Sequence, residues 1–253
     1  MGHYMTQAGL LLLFISLALG ILFFSRGKIR FLWGATLFFA TLILILTMTR
    51  SAWIGAAVAA SVILFLYKPK TLVLIPIILG LVFLVSPKNV KQRALSIFSL
   101  KGYSNVQRIE YVKAGIKIIK SNLLWGTGPD TVDMEFRLPK YGLSEEAKQN
   151  VHLHNNILQI GAERGIPALL AWLAFLLLAF IDLLKLLKNK NPSIYPLAAG
   201  ALAALAGLFV AGFFEYNFGD SEITTLFLYV LTIPFVAERW TRKKEIATSQ
   251  GSS

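Results

Sequence analysis

Seven apolar runs organise the chain: Ala8–Phe24, Phe31–Thr49, Ala52–Tyr67, Thr71–Ser86, Ile166–Leu187, Ser193–Phe214 and Ile223–Val236. A membrane-crossing helix needs roughly 17–25 residues, and several of these runs are near or below that length. One polar stretch, Pro87 to Gly165, separates the first four runs from the last three. The pattern predicts an all-α polytopic membrane protein with about seven transmembrane helices and one large external loop containing short helices. Four spans fall in 1–86, the loop in 87–165, three spans in 166–238 and a basic tail in 239–253.

Composition agrees. Of the 253 residues, 56% are hydrophobic, and the mean hydropathy is +0.64, too apolar for a soluble domain of this size. Cysteine is absent, which excludes disulfides and thiolate metal sites. The charge then sets a topology. Basic residues collect in SRGKIR, YKPK, KLLKNKN and RWTRKKE, which share one side under strict alternation of the spans. The short connections on the other side, MTRSAW and EYNFGDSE, carry one basic residue or are acidic. Basic short loops stay cytoplasmic, so the N-terminus and the long loop are expected outside, with the chain in the cell inner (cytoplasmic) membrane and its loop periplasmic or extracellular. Much of the net charge of +12 is then topogenic, and no nucleic-acid partner is implied. The opening MGHYMTQ has no basic residue and so does not read as a signal peptide. An uncharged N-terminus placed outside suggests the C-terminal part, or a split version, of a longer polytopic protein.

Small residues recur every fourth position at Ala199, Ala203, Gly207 and Ala211, and at Ala52, Ala56 and Ala60. Such stripes let helix backbones approach closely in lipid. Within the loop, SNVQRIEYVKAGIKIIKSN reads as an amphipathic helix whose apolar stripe is Val106, Ile109, Val112, Ile116 and Ile119. Ser104 and Gln107 form a capping-box pair at its start. Arg108 lies at the margin of that stripe and Lys113, Lys117 and Lys120 on its other side, so the helix suits a membrane surface. A Gly-Pro turn follows in LLWGTGPD. Asn155–Arg164 reads as a short helix ended by Gly165, with Pro167 in the first turn of the next span, where proline is tolerated.

Few residues in this pattern carry chemistry. Arg50 lies on the side that the short loops keep free of positive charge, and an anionic partner accounts for it; otherwise it snorkels to headgroups. A guanidinium fork binds phosphate oxygens in bidentate fashion. Arg108 is a second cation, or a solvated helix charge. His152 and His154 form an HxH pair, but no cysteine and no further histidine lies nearby, so no metal is expected. Either histidine can be structural; as a general base, an imidazole accepts a proton near neutral pH. Asn155 orients the imidazole or caps the helix.

Taken together, TMTRSAW, LLWGTGPD with Arg108 upstream, and His154-Asn155 followed nine residues later by Gly165 resemble the C-terminal half of the O-antigen ligase and Wzy-type polysaccharide polymerase superfamily. There a TxSRxAW-like motif ends one span, and an external loop runs through a P-x-x-G-x-G turn to an HN-x9-G helix. GHYMTQAG and EYNFGDSE also resemble family segments, the latter the last external loop. Leu123 stands where proline is common, while Gly126 and Gly128 remain; the family's N-terminal set of helices has no counterpart. The resemblance implies transfer of a glycan, without metal or other cofactor, from a polyprenyl-diphosphate carrier to a sugar hydroxyl on the outer face of the membrane. The acceptor is lipid A–core for a ligase and another glycan for a polymerase. It implies His154 as base, Arg50 and Arg108 as the donor diphosphate's cations, and Asn155 and His152 in support. Partners are then the lipid-linked glycan, the acceptor, membrane lipids and a separate N-terminal half. Two readings of other classes remain. A transporter component needs ionisable residues within its spans, which are nearly absent here. A non-catalytic truncated fragment would lack the remaining spans.

Overall fold

The computed structural model describes residues 3–99 and 103–250. Residues 1–2, 100–102 and 251–253, which include Gly2 of the first family-like segment, a short piece of the predicted loop and the end of the predicted tail, lie outside them. Every regular element among the described residues is helical. In chain order these are α1 (His3–Phe24), α2 (Ile29–Leu46), α3 (Arg50–Tyr67), α4 (Leu74–Val85, led in by a 3-10 turn at Pro69–Val73), α5 (Lys88–Leu95), α6 (Tyr103–Ser121), α7 (Val132–Phe136), α8 (Asn156–Leu186), α9 (Tyr195–Ala211) and α10 (Ser221–Gln250).

Five of them, α1, α2, α3, α8 and α10, are long and apolar enough to cross a membrane, and Pro69–Val85 and Tyr195–Ala211 are shorter apolar helices. Six of the seven expected runs match these elements closely. The last, expected to end at Val236, continues as α10 to Gln250, so the basic tail over its described length extends the helix. The segment ERWTRKKEIATSQ has no glycine or proline to break it, and Pro234 lies inside α10 without ending it.

The bundle is built around α9, which is buried along most of its length by α1, α3, α8 and α10. Small residues make that possible. Ala199, Ala203, Gly207 and Ala211 are all buried, as the four-residue spacing predicts. A Cβ on Gly207 would stand 2.7 Å from the carbonyl oxygen of Gly55, and one on Gly55 would stand 2.7 Å from that of Gly207, so the two backbones touch. On α3, Gly55 and Ala59 meet α9, with Ala56 packed beside them, while Ala52 packs with α1 and α2. Ala56 and Ala60 are only partly buried: the helix turns its thinnest face, the one with glycine, toward α9. On the outside, α2 and α4 leave Phe31, Phe38, Phe39, Leu84 and Val85 exposed, as surfaces meeting lipid do.

The polar stretch has a core of its own, made by Tyr111, Ile118, Val132, Phe136, Tyr141 and Leu153 with smaller neighbours. Here α6 has a second apolar face, which the predicted stripe did not include. Its buried face is Tyr111, Ala114 and Ile118, while Val106, Ile109, Val112 and Ile116 of the predicted stripe are exposed and only Ile119 packs against the core. The hydroxyl of Ser104, expected to cap this helix, instead accepts a hydrogen bond from Arg50.

Candidate functional site

Two glycine-bearing segments set the geometry. Gly165 has φ 76° and ψ 172°, a conformation open in practice only to glycine, and it breaks α8 into residues 156–164 and 166–186. Such a break orphans the last carbonyls of the first half. The turn after α6 satisfies them: Thr127 N–H donates to Ala162 O and Gly128 N–H to Glu163 O, both at 2.9 Å. On the other side of the break, Ile166 N–H donates to Leu123 O at 2.8 Å. The segment 123–128 is thus a strap across the kink. Gly126 (φ 68°) and Gly128 (φ 108°) let it turn, and a Cβ on Gly126 would collide with the backbone of Glu163. The G-x-G turn and the glycine closing HN-x9-G are two halves of one joint. Leu123, at the place of the common proline, contributes its carbonyl, which proline would also offer.

At the other end of 156–164 the chain enters the helix through His154 and Asn155. Asn155 is the N-cap, its Oδ1 accepting from Leu158 N–H at 3.0 Å. Its Nδ2 donates to Phe213 O, and Asn156 N–H donates to Gly212 O at 2.7 Å. The pair therefore caps a helix and docks on the turn between α9 and α10. His154 has φ 49°, the left-handed region, which a non-glycine residue adopts mainly where its surroundings impose it.

That docking brings His154 Nδ1 to 2.9 Å from Oε1 of Glu215. Glu215 is buried. Burial alone would raise its carboxyl, but the hydrogen bond and charge of His154, the N–H of Tyr216 and the nearby Arg108 together hold it below the usual carboxylate range. A carboxylate only accepts, so Nδ1 carries a proton, and the tautomer this favours for the neutral ring has its lone pair on Nε2. This is the base-plus-orienting-carboxylate arrangement that activates a hydroxyl. Glu215 was not singled out from the sequence. It stands in EYNFGDSE, 61 residues from His154, a segment that marks a side of the membrane and resembles the family's last external loop without pointing to this residue.

The cations gather beside this pair. Arg108 donates from Nη2 to Phe214 O at 3.1 Å. Burial lowers its guanidinium pKa, with Glu215 opposing and Arg93 adding to the shift. Arg93 was also missed by sequence reading; it donates from Nε to the carbonyl of Met48, in the tight α2–α3 turn. Arg50 is buried, and its two terminal nitrogens make four hydrogen bonds: Nη1 to the carbonyl and hydroxyl of Ser96, Nη2 to Ser104 and Asn105. It ties the start of α3 to both α5 and α6 and lies within electrostatic reach of Arg108. The sequence-predicted residues Arg50, Arg108, His154 and Asn155 thus converge on one end of the bundle.

His152 diverges from them. Its ring meets Tyr216 edge-on at 5.2 Å, its buried Nδ1 has no hydrogen-bond partner, and burial, then the neighbouring His154, lowers its pKa. His152 packs on Tyr216 and His154 bonds Glu215, and no group of three His, Cys, Asp or Glu among the described residues is placed to hold a metal. Behind His154 stands Tyr111, its ring centroid 5.7 Å away and stacked on Phe136, so the wall of the site is the core of the loop.

The family model described as O-antigen ligase matches residues 35–173, more than half of the chain, and takes in Arg50, Arg108, His154 and Gly165. No curated protein matches the chain.

Proposed function

The chain belongs to the O-antigen ligase family of membrane proteins, and from that premise we propose that it is a glycosyltransferase moving a glycan from a polyprenyl-diphosphate carrier to an acceptor hydroxyl on the outer face of the cell's inner membrane. The observation that carries this reading is the His154–Glu215 pair standing beside Arg108. Nε2 of His154 takes the proton of the acceptor hydroxyl. The oxygen attacks the anomeric carbon, the bond from that carbon to the diphosphate breaks, and its electron pair leaves with the lipid diphosphate. The growing negative charge needs cations in place before the reaction. Arg108 offers the freer guanidinium. Arg50 contributes charge from beneath and reaches phosphate oxygens only by exchanging its bonds to Ser96 and Ser104. Asn155 holds the histidine's turn in register, and His152 supports the wall through Tyr216. The role leaves nothing for a metal or cofactor to supply.

Sidedness follows the short-loop charges. The SRGKIR and YKPK turns lie at the bundle end where Phe23, Phe24, Tyr67 and Tyr195 pack together, opposite to the site. Thr6, near the start of α1, bonds Asp220 in the α9–α10 turn, so the N-terminus shares the site's end. On this reading the partners are the lipid-linked glycan, a glycan or lipid A–core acceptor, membrane lipids and a separate N-terminal set of helices.

The test is transfer from a polyprenyl-diphosphate glycan in membranes carrying the chain, with and without the remaining family helices supplied as a second polypeptide. His154→Ala is expected to lower the rate by about 10²–10⁴-fold, the usual worth of a general base, at unchanged membrane abundance. His152→Ala is expected to be milder, and a metal chelator without effect. Equal loss in the two histidine variants removes the assignment. A cysteine at Ser144 that resists an impermeant thiol reagent while one at Gly27 reacts would put the site on the cytoplasmic side and end the reading.

A further inference from the structure

We propose that α6 is an interfacial helix, laid along the outer surface of the bilayer with its uncovered apolar face in the lipid and Lys113, Lys117 and Lys120 on lipid phosphates. The inference is independent of the transfer reaction; it takes the outer side from the short-loop charges and otherwise needs only that α3 and α8 cross the membrane. Both ends of α6 are tied at the level where a span begins. At its start, Arg50, the first residue of α3, holds Ser104 and Asn105. At its end, Leu123 O accepts from Ile166 N–H, the first residue of the apolar half of α8. A helix of 19 residues, about 28 Å long, suspended between two such points runs along the membrane surface and not into it.

Its two long faces differ in what covers them. One carries Tyr111, Ala114 and Ile118, packed on the loop core. The other carries Val106, Ile109, Val112 and Ile116, each 41–46% exposed and none of them in a hydrophobic cluster of the described residues. The exposed face continues past the end of the helix into Leu124, 64% exposed, and Trp125, 87% exposed, at the start of a span, where tryptophan is favoured because it has an apolar body and a polar edge. Lys113, Lys117 and Lys120 are exposed alongside, three and four residues apart and so on one edge. The one acid of α6, Glu110, is turned away and accepts from the backbone and hydroxyl of Ser144. An aliphatic stripe edged by lysines with no acid is the surface that anionic headgroups complement. Arg108, between the two faces, is thereby kept at the depth of lipid phosphates.

The chain has no cysteine, so single cysteines at Ile109, Ile116, Trp125 and, as an aqueous reference, Glu146 can each carry a nitroxide. The labelled protein is reconstituted in vesicles of equal parts phosphatidylcholine and phosphatidylglycerol. Oxygen, which concentrates in lipid, is expected to reach the labels at 109, 116 and 125 several-fold better than a polar nickel chelate does, with the order reversed at 146. Nickel access at 109 and 116 equal to that at 146 overturns the proposal by placing the face in water. Labels that neither reagent reaches overturn it too, by placing another polypeptide on the face. Replacing Lys113, Lys117 and Lys120 together by glutamine is expected to raise nickel access at 116 several-fold in the anionic vesicles and to change nothing in pure phosphatidylcholine. An identical signal for both proteins in both lipids refutes the phosphate contact. Should the triple variant fail to fold, high salt applied to the native lysines tests the same contact by screening it.

Discussion

The bundle and the loop that caps it are held together in opposite ways. In the bundle, side chains are removed so that backbones can meet: Gly55 faces Gly207, and Gly20 abuts Pro196 and Gly200. The helices there are regular. In the cap the backbone itself is bent out of the regular. Among the described residues, Gly27 aside, every positive φ falls in the loop, at its closing Gly165, or at Met48 beside it. Lipid offers no hydrogen bonds, so a spanning segment must satisfy its own backbone and gains stability by close approach. In the polar stretch, donors and acceptors outside the helix are available, and irregular backbone can hold a side chain such as His154 in place. The His154–Glu215 pair bridges the two regimes, with His154 in the cap and Glu215 on a turn of the bundle.

Cutting that bridge has the largest expected effect. Glu215→Gln keeps the shape but lets the imidazole take the wrong tautomer, and is expected to lower transfer about 10²–10⁴-fold. Combined with His154→Ala it should add little, since groups acting as a unit are not additive; full additivity in rate measurements would separate the two residues. Next comes a pair of glycine substitutions. Gly165→Ala puts a Cβ against the carbonyl of Leu124 in a conformation costing about 1–3 kcal/mol for a non-glycine residue. It should open the loop to protease while the bundle stays protected. Gly207→Ala should do the reverse, loosening α9 from α3 by about 1–3 kcal/mol of overpacking and lowering the melting temperature in detergent. If both variants open the same region, the two regimes are one.

Arg50→Lys removes the fork that joins α3 to α5 and α6. One ammonium cannot reproduce bonds diverging to Ser96, Ser104 and Asn105, and the start of α6 should loosen by about 1–3 kcal/mol, read as faster hydrogen exchange there.

The smallest effect is on pH dependence. His152 has a folded-state pKa below its ordinary value, so the unfolded chain takes up its proton first as pH falls. Stability of the cap should therefore decline as pH drops below about 6.5, a decline that His152→Phe should flatten. Glu215, also depressed, stabilises above the ordinary carboxylate range and is lost only as pH falls through its lower folded value. A cap whose melting is flat from neutral to mildly acid pH would show His152 to be uninvolved.

The sequence made some of this legible and hid the rest for identifiable reasons. Apolar runs and the four-residue spacing at Ala199–Ala211 register directly as buried helices, because burial in a bundle is a periodic property. The break at Gly165 was readable because glycine after a helical stretch has one common meaning. The periodic stripe of α6 at Val106, Ile109, Val112 and Ile116 is left uncovered, as a helix suited to a membrane surface requires, while its second, buried face of Tyr111, Ala114 and Ile118 was not legible; periodicity marks an apolar stripe without saying what covers it. Glu215 and Arg93 reach the site through folding of distant turns, and a single acid or arginine in a short segment carries no local pattern.

The nine residues between Asn155 and Gly165 are, finally, a ruler. At 1.5 Å per residue they set His154 about 14 Å along the helix from the kink where α8 turns into its apolar half. They also set a dial, since each residue turns the helix by about 100°. Adding or deleting one alanine within 156–164 would move His154 by little more than an atom's width yet rotate it by more than a quarter-turn away from Glu215. A second deletion or insertion elsewhere in the loop could not restore the aim. A spacing that looks like a sequence motif is thus a mechanical tolerance, tighter in angle than in length.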